Sequence, residues 1–227
     1  MQFKIKVCGV TSVDDALLAS DAGADAVGLN FYSGSKRCIH ADAAREIVDA
    51  VGERAAMIGL FVNEQVSLIG RTCRTATLQI VQLHGEKSYD VGKLLIEFGQ
   101  TPVQIIRAHN FGPRGVEGVY EGMFDASGQA ADAVLVDATV TGQFGGTGHT
   151  IDWSQLVNYE ESIGKMPLIL AGGLTPENVA EAIRIVRPQA VDVASGVESA
   201  PGKKDSAKMR DFVAAAREAF AALGKAQ

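Results

Sequence analysis

Short runs rich in Val, Ile and Leu recur along the chain, and stretches whose apolar residues repeat at helical spacing lie between them. The runs cover residues 3–8, 26–31, 56–62, 78–83, 103–108, 133–137, 168–171 and 191–194. Their hydrophobicity is continuous more than alternating, which is what parallel strands covered on both faces require. Thr11-Ser12-Val13-Asp14-Asp15 opens a helix that ends at Gly23, and residues 41–51 carry a helical stripe. Thr175-Pro176-Glu177 opens another helix with proline in its first turn. A last helix over 206–223 sets Met209, Phe212, Val213, Ala216 and Phe220 on one face. Eight strand–helix units of about 28 residues predict an α/β protein, a single-domain (β/α)8 TIM barrel spanning 1–227. An open doubly wound sheet is the competitor, but Cys8-Gly9-Val10-Thr11 after the first strand is not its glycine fingerprint. No linker, low-complexity tract or shift of composition divides the chain. Residues 110–129, with five glycines, read as a helix with loose ends.

Composition narrows the partners. The 227 residues carry 21 Lys and Arg against 27 Asp and Glu, a net charge of −6 with no basic run, which disfavours nucleic acid. No apolar stretch reaches the roughly 18 residues of a membrane span, and the amino terminus has no signal-peptide core, so a cytoplasmic protein without a membrane partner is expected. Cys8, Cys38 and Cys73 are odd in number and share no C-x-x-C spacing, which predicts reduced thiols and neither disulfide nor zinc. His40, His84, His109 and His149 show no metal-ligand spacing, so no metal is expected. A small phosphorylated molecule remains compatible with the acidic balance, because it needs only a few backbone N–H groups and one or two cations.

In a barrel, function lies at the carboxyl ends of the strands. Those ends read Cys8, Asn30, Asn63, His84, Arg107, Asp137, Gly172-Gly173 and Ser195-Gly196. Cys8 is either a small buried hydrophobe or a thiolate acting as base or nucleophile, and nothing adjacent in sequence decides between them. Asp137 closes the apolar run Ala133-Val134-Leu135-Val136. It is either a loop anchor or a proton donor whose pKa is raised by desolvation. Leu170-Ala171-Gly172-Gly173-Leu174-Thr175-Pro176 and Ala194-Ser195-Gly196-Val197 are two glycine turns after the seventh and eighth strands, where many barrels hold phosphate. Gly145-Gly146-Thr147-Gly148-His149-Thr150, with Gly142 nearby, lacks P-loop spacing and reads as a loop covering the substrate. Arg37, just after strand two, is a candidate fork for a carboxylate.

Taken in order, these motifs resemble phosphoribosylanthranilate isomerase of tryptophan biosynthesis. The segments that carry the resemblance are Lys6-Val7-Cys8-Gly9-Val10-Thr11, Ala22-Gly23-Ala24-Asp25-Ala26-Val27-Gly28, and Phe31-Tyr32 with Ser35 and Arg37. They continue with Val81-Gln82-Leu83-His84-Gly85, Leu135-Val136-Asp137, Gly145-Gly146-Thr147-Gly148 with Asp152-Trp153, and Leu170-Ala171-Gly172-Gly173-Leu174. The last is Val191-Asp192-Val193-Ala194-Ser195-Gly196-Val197-Glu198, leading to Pro201-Gly202 and Lys204-Asp205.

The resemblance implies a (β/α)8 barrel that performs an Amadori rearrangement with no cofactor and no metal. It implies Cys8 as general base, Asp137 as general acid and Arg37 as partner of the anthranilate carboxylate. It also implies a 5-phosphate held by the backbone at Gly172, Gly173, Ser195 and Gly196. A thiol base calls for a pKa brought toward neutrality, so donors or positive potential are expected beside Cys8. The likeness is weakest over Ser33–Lys36, where relatives often carry prolines, and at His149 and Ile151. A histidine-pathway aminoaldose isomerase is the neighbouring reading, but it expects an aspartate at the position of Cys8 and two phosphate sites. A non-catalytic binder of phosphorylated sugar is the reading from another class, and it leaves Cys8 and Asp137 without a task.

Overall fold

The computed structural model describes residues 3–85, 89–99, 101–112, 114–124, 128–137 and 152–225. Eight parallel strands close into a ring in sequence order: β1 (Ile5–Cys8), β2 (Ala26–Asn30), β3 (Ala56–Val62), β4 (Ile80–His84), β5 (Gln104–Asn110), β6 (Ala133–Asp137), β7 (Leu168–Leu170) and β8 (Ala190–Val193). β8 pairs back onto β1 and completes the barrel. Around it run α1 (Val13–Asp21), α2 (Ala41–Val51), α3 (Val66–Ala76), α4 (Val91–Phe98), α5 (Gly115–Gly122), the short α6 (Glu160–Ile163), α7 (Val179–Val186) and α8 (Ser206–Lys225). A hairpin of β9 (Glu198–Ala200) and β10 (Lys203–Lys204) joins β8 to α8.

The unbroken hydrophobicity of the strands has a direct cause, since successive side chains face opposite ways and both faces are buried. Ile5, Val7, Val27, Leu83, Val134 and Val191 pack outward against the helices. Ala26, Ile58, Ile106, Leu135, Ile169 and Ala190 fill the interior, together with Phe3.

Local chemistry sets the helix ends. Ser12 caps α1 by accepting from the Asp15 N–H at 3.2 Å, with Asp14 and Asp15 in the first turn. Asp205 does the same for α8, accepting from Ala207 and Lys208.

Two expectations shift. α7 begins at Val179 and not at Thr175. The Asn178 side chain accepts from the Thr175 N–H and donates to the Gly173 carbonyl, which makes 175–178 a separate turn. β5 runs on to Asn110, so Arg107 is not a strand end. Its side chain stacks on Tyr89 and donates to the Gly85 carbonyl in a separate hollow. Within 110–129 the helix is α5, and residues 113 and 125–127 lie outside the described residues, as do 138–151 with the glycine loop at 145–150.

Among the described residues, no helix is long and apolar enough to cross a membrane, and no group of three His, Cys, Asp or Glu side chains is placed to hold a metal. α8 packs on α7, α1 and β1, and its Phe212 is fully buried. Phe212→Ala is therefore expected to cost about 3–5 kcal/mol of folding stability, read as a shifted midpoint in urea denaturation.

Candidate active site

Alternation along β1 sends Ile5 and Val7 outward and Lys6 and Cys8 into the barrel. Lys6 has no exposed surface and reaches across the interior. Its Nζ donates to Asp192 Oδ2 at 2.9 Å and to Gln82 Oε1 at 2.8 Å. Lys6 and Asp192 also stand opposite each other in the β1–β8 register. With its carbonyl engaged by Lys6, Gln82 turns its amide to His84 Nε2 at 2.5 Å. That leaves the neutral imidazole with its proton on Nδ1. Burial, followed by the charges of Lys6, Arg107 and His109, depresses His84 to about 3, so it stays neutral.

Above this polar layer one cavity opens at the carboxyl ends of the strands. Cys8, Arg37, Asp137, Gly172, Gly173, Ser195 and Gly196 all line it, along with Gln82, His84 and Asp192. Cys8 sits at the end of β1 against Leu60 and Val62. Gly28 of β2 makes room for it, because a Cβ there would lie 2.7 Å from Cys8 Sγ and 3.1 Å from Lys6 Cε. Asp137 ends β6, partly buried. Asp192 Oδ1 is buried with no hydrogen-bond partner among the described residues, an acceptor left at a cavity-lining residue.

The same charges act on both titratable groups. Burial, reinforced by the Asp192 carboxylate, raises Asp137 to about 6 against the opposing pull of Lys6. Burial also pushes the Cys8 thiol up, with Asp192 adding to it, while Lys6 and Lys204 pull it down without prevailing. The positive donors expected beside the thiol are present, but the expected net fall toward neutrality is not, because desolvation outweighs them. For Lys6 itself burial works against the charge. The attraction of Asp192 and of a Cys8 thiolate, with their hydrogen bonds, overcomes it and raises its pKa.

The glycine turns are backbone structures. Gly172 and Gly173 have φ of 88° and 66°, which side-chain-bearing residues rarely adopt. Gly196 lies so close to the Leu174 carbonyl that a Cβ would collide with it. The turns after β7 and β8 are thus packed on one another, and the Asn178 side chain braces the first.

Arg37 projects from the β2–α2 loop. Ser35 Oγ accepts from the Arg37 N–H at 3.1 Å, and Asn30 Nδ2 donates to the same oxygen at 3.2 Å, so this loop is braced where its sequence departs from the motif. The Arg37 guanidinium is already engaged: Nε and Nη2 donate to the two oxygens of Glu198, each at 2.7 Å. Lys204, with a fully buried side chain, donates to Glu198 Oε1 at 3.1 Å, to the Cys8 carbonyl at 2.6 Å and to the Ala194 carbonyl at 2.9 Å.

The motif reading passed over Lys6, Gln82, Asp192, Glu198 and Lys204 as functional groups. The one signal available was a charge inside each of two apolar strands, Lys6 in the first and Asp192 in the last.

The sequence profile described as N-(5'phosphoribosyl)anthranilate (PRA) isomerase matches residues 5–215. The chain belongs to the phosphoribosylanthranilate isomerase family. It is similar to the N-(5'-phosphoribosyl)anthranilate isomerase of Acidithiobacillus ferrooxidans, 42% identical over 94% of this chain and 97% of that one. A relative of the same name from Neisseria meningitidis is 39% identical over 95% and 97% of the two chains. Among solved structures, the phosphoribosylanthranilate isomerase of Thermotoga maritima superposes with a TM-score of 0.81 at 37% identity, covering 96% of this chain and all of that one. A phosphoribosylanthranilate isomerase in complex with reduced 1-(o-carboxyphenylamino)-1-deoxyribulose 5-phosphate superposes with a TM-score of 0.78 at 34% identity, with the same coverage.

The room that this family member keeps around its cysteine gives a direct test. Gly28→Ala is expected to destabilise the protein by about 1–3 kcal/mol in urea denaturation, because the added methyl presses on Cys8 Sγ and Lys6 Cε inside a packed barrel.

Proposed function

We propose that the chain isomerises N-(5-phosphoribosyl)anthranilate to 1-(2-carboxyphenylamino)-1-deoxyribulose 5-phosphate in tryptophan biosynthesis, with Asp137 as general acid, Cys8 as general base and the whole chain acting as one barrel domain. One observation carries the assignment of roles. A thiol and a carboxyl group of raised pKa line the same cavity as two interlocked glycine turns. Protonated Asp137 gives its proton to the ribose ring oxygen as the C1–O bond breaks, and the nitrogen lone pair forms the C1=N iminium. The iminium acidifies the C2 hydrogen, which the Cys8 thiolate removes. The electron pair of that C–H bond becomes the C1=C2 bond of an enolamine. The enolamine then loses its hydroxyl proton and gains one at C1, giving the ketone. Proton exchange with water returns Cys8 and Asp137 to their starting states.

The raised thiol pKa fits this sequence. The cationic iminium favours a thiolate beside it, so the base forms where the reaction needs it. The 5-phosphate is assigned to the backbone at Gly172, Gly173, Ser195 and Gly196, and the anthranilate carboxylate to Arg37. A sugar hydroxyl donating to Asp192 Oδ1 would satisfy that buried acceptor. All three cysteines are unpaired, which suits a reducing compartment, and we assign the reaction to the cytoplasm.

The productive form pairs a protonated Asp137 with a deprotonated Cys8, although Asp137 is the stronger acid. Between their two pKa values the population of that form is constant. Below about 6 it falls, because added protons neutralise the thiolate without creating more protonated Asp137. Above the Cys8 pKa it falls again, as Asp137 goes on losing its proton with no further gain of thiolate. kcat/KM is therefore expected to be flat from about pH 6 to the raised Cys8 pKa, to drop tenfold per unit below about 6, and in Asp137→Asn to lose the break near 6. Turnover is read from the loss of the fluorescence of enzymatically generated phosphoribosylanthranilate. By that assay Cys8→Ser and Asp137→Asn should each lower kcat by roughly 10²- to 10⁴-fold with little change in binding, and Arg37→Ala should mainly raise KM. A Cys8→Ser enzyme with near-normal kcat would remove the thiolate from the mechanism.

A further inference from the structure

Arg37 and Glu198 lie 161 residues apart and form a two-point contact in which both hydrogen bonds are 2.7 Å. Such a fork fixes the plane of a guanidinium and not merely its position. Only Arg37 of the pair lines the cavity, and Glu198 holds it from behind. The arginine stem passes over Gly9, where φ is 71° and where a Cβ would run into the stem. Its path is therefore set at both ends.

The pair alone would present no net charge to an incoming anion. Lys204 changes that sum: with its ammonium on Glu198 Oε1, the three side chains together carry +1, the complement of one carboxylate. Lys204 also binds the carbonyls of Cys8 and Ala194, and the Gly202 N–H donates to Glu198 Oε1 at 3.3 Å. Glu198 is thus anchored to the ends of both β1 and β8.

We propose that Glu198, held by Lys204, is a positioning residue that aims the Arg37 guanidinium across the mouth of the barrel and thereby sets the preference for a substrate whose aryl group bears a carboxylate. The inference rests on the isomerase reading above and names what enforces specificity in that site. Ordering a free arginine on binding has an entropic cost, which preorganisation by Glu198 removes before the ligand arrives.

Glu198→Asp shortens the side chain by one methylene, so it breaks the two-point contact with Arg37 without altering the sum of charges. The expected result is a KM for phosphoribosylanthranilate raised at least tenfold, with kcat lowered less than threefold. The preference in kcat/KM for this substrate over phosphoribosylaniline, which lacks the carboxylate, should shrink at least tenfold. In an Arg37→Ala background the same change should leave KM and the preference where Arg37→Ala alone puts them. An unaltered preference in folded Glu198→Asp, or an equal rise of KM with and without Arg37, would overturn the proposal. Should Glu198→Asp not fold, the double variant Glu198→Gln/Lys204→Gln, which breaks the fork and keeps the +1 sum, is read the same way.

If the wild-type protein turns over neither compound, the isomerase reading fails on its own. The positioning role is then read by calorimetric titration with reduced, unreactive product analogues with and without the carboxylate. Removing the carboxylate must cost the Glu198 variant at least tenfold less affinity than it costs wild type. An equal cost overturns the proposal.

Discussion

The barrel depends on one buried ion pair. Lys6 and Asp192 are separated by 186 residues and become neighbours only when β8 closes onto β1. An ammonium without exposed surface is tolerable only if it is paired and hydrogen-bonded, since leaving such a charge alone costs about 3–5 kcal/mol. In the described structure Lys6 is satisfied by Asp192 on one side and Gln82 on the other. A slip of one residue between β1 and β8 would turn Lys6 into the apolar layer beneath the helices. The pair thus specifies how the ring closes, a role for which buried polar groups are better suited than for raw stability.

That geometric constraint is also electrostatic. The pair lies beneath the cavity, and its two charges act on both groups above it. Asp192 raises Asp137 and Cys8 together, and Lys6 opposes it at each site. Desolvation is the larger influence in both cases, so the barrel interior makes the carboxyl group a proton donor near neutrality and makes thiolate formation depend on the cationic intermediate. A second ionic cluster, Arg37 with Glu198 and Lys204, ties the loop after β2 and the β9–β10 hairpin to the same strand ends. Gly28, Gly172, Gly173 and Gly196 make the complementary contribution, since at each a side chain would either collide or force an unfavourable backbone.

Much of this was legible in the chain because it is written locally. Continuous apolar runs marked all eight strands, and the ranges for β3 and β6 match residue for residue. Ser12 signalled α1, and residues 41–51 are α2. Cys8, Asp137 and the paired glycines stood out because reactive or small residues at the ends of apolar strands are conspicuous. What sequence concealed was pairing over long separations. Lys6 and Asp192 read only as members of two of the segments that carry the resemblance, with nothing to show that they meet. Arg37 read as a free fork because nothing near it in sequence shows that Glu198 already occupies two of its donors. Arg107 was misplaced because β5 continues three residues beyond it. The start of α7 shifted because the Asn178 side chain accepts from the Thr175 N–H and, with the backbone bonds from Asn178 and Val179 to the Thr175 carbonyl, closes a separate turn before the helix.

Burial and the ion pair beneath the cavity together set the proton affinity of Asp137, with desolvation the larger influence. Its most direct measurement is the ionisation of Asp137, followed by carboxyl carbon-13 resonance as pH is varied in the intact protein. The account predicts a midpoint of about 6 in the wild-type chain and a lower one in Asp192→Asn, where the neighbouring negative charge is gone. A wild-type midpoint in the ordinary aspartate range, or one indifferent to Asp192, would contradict it.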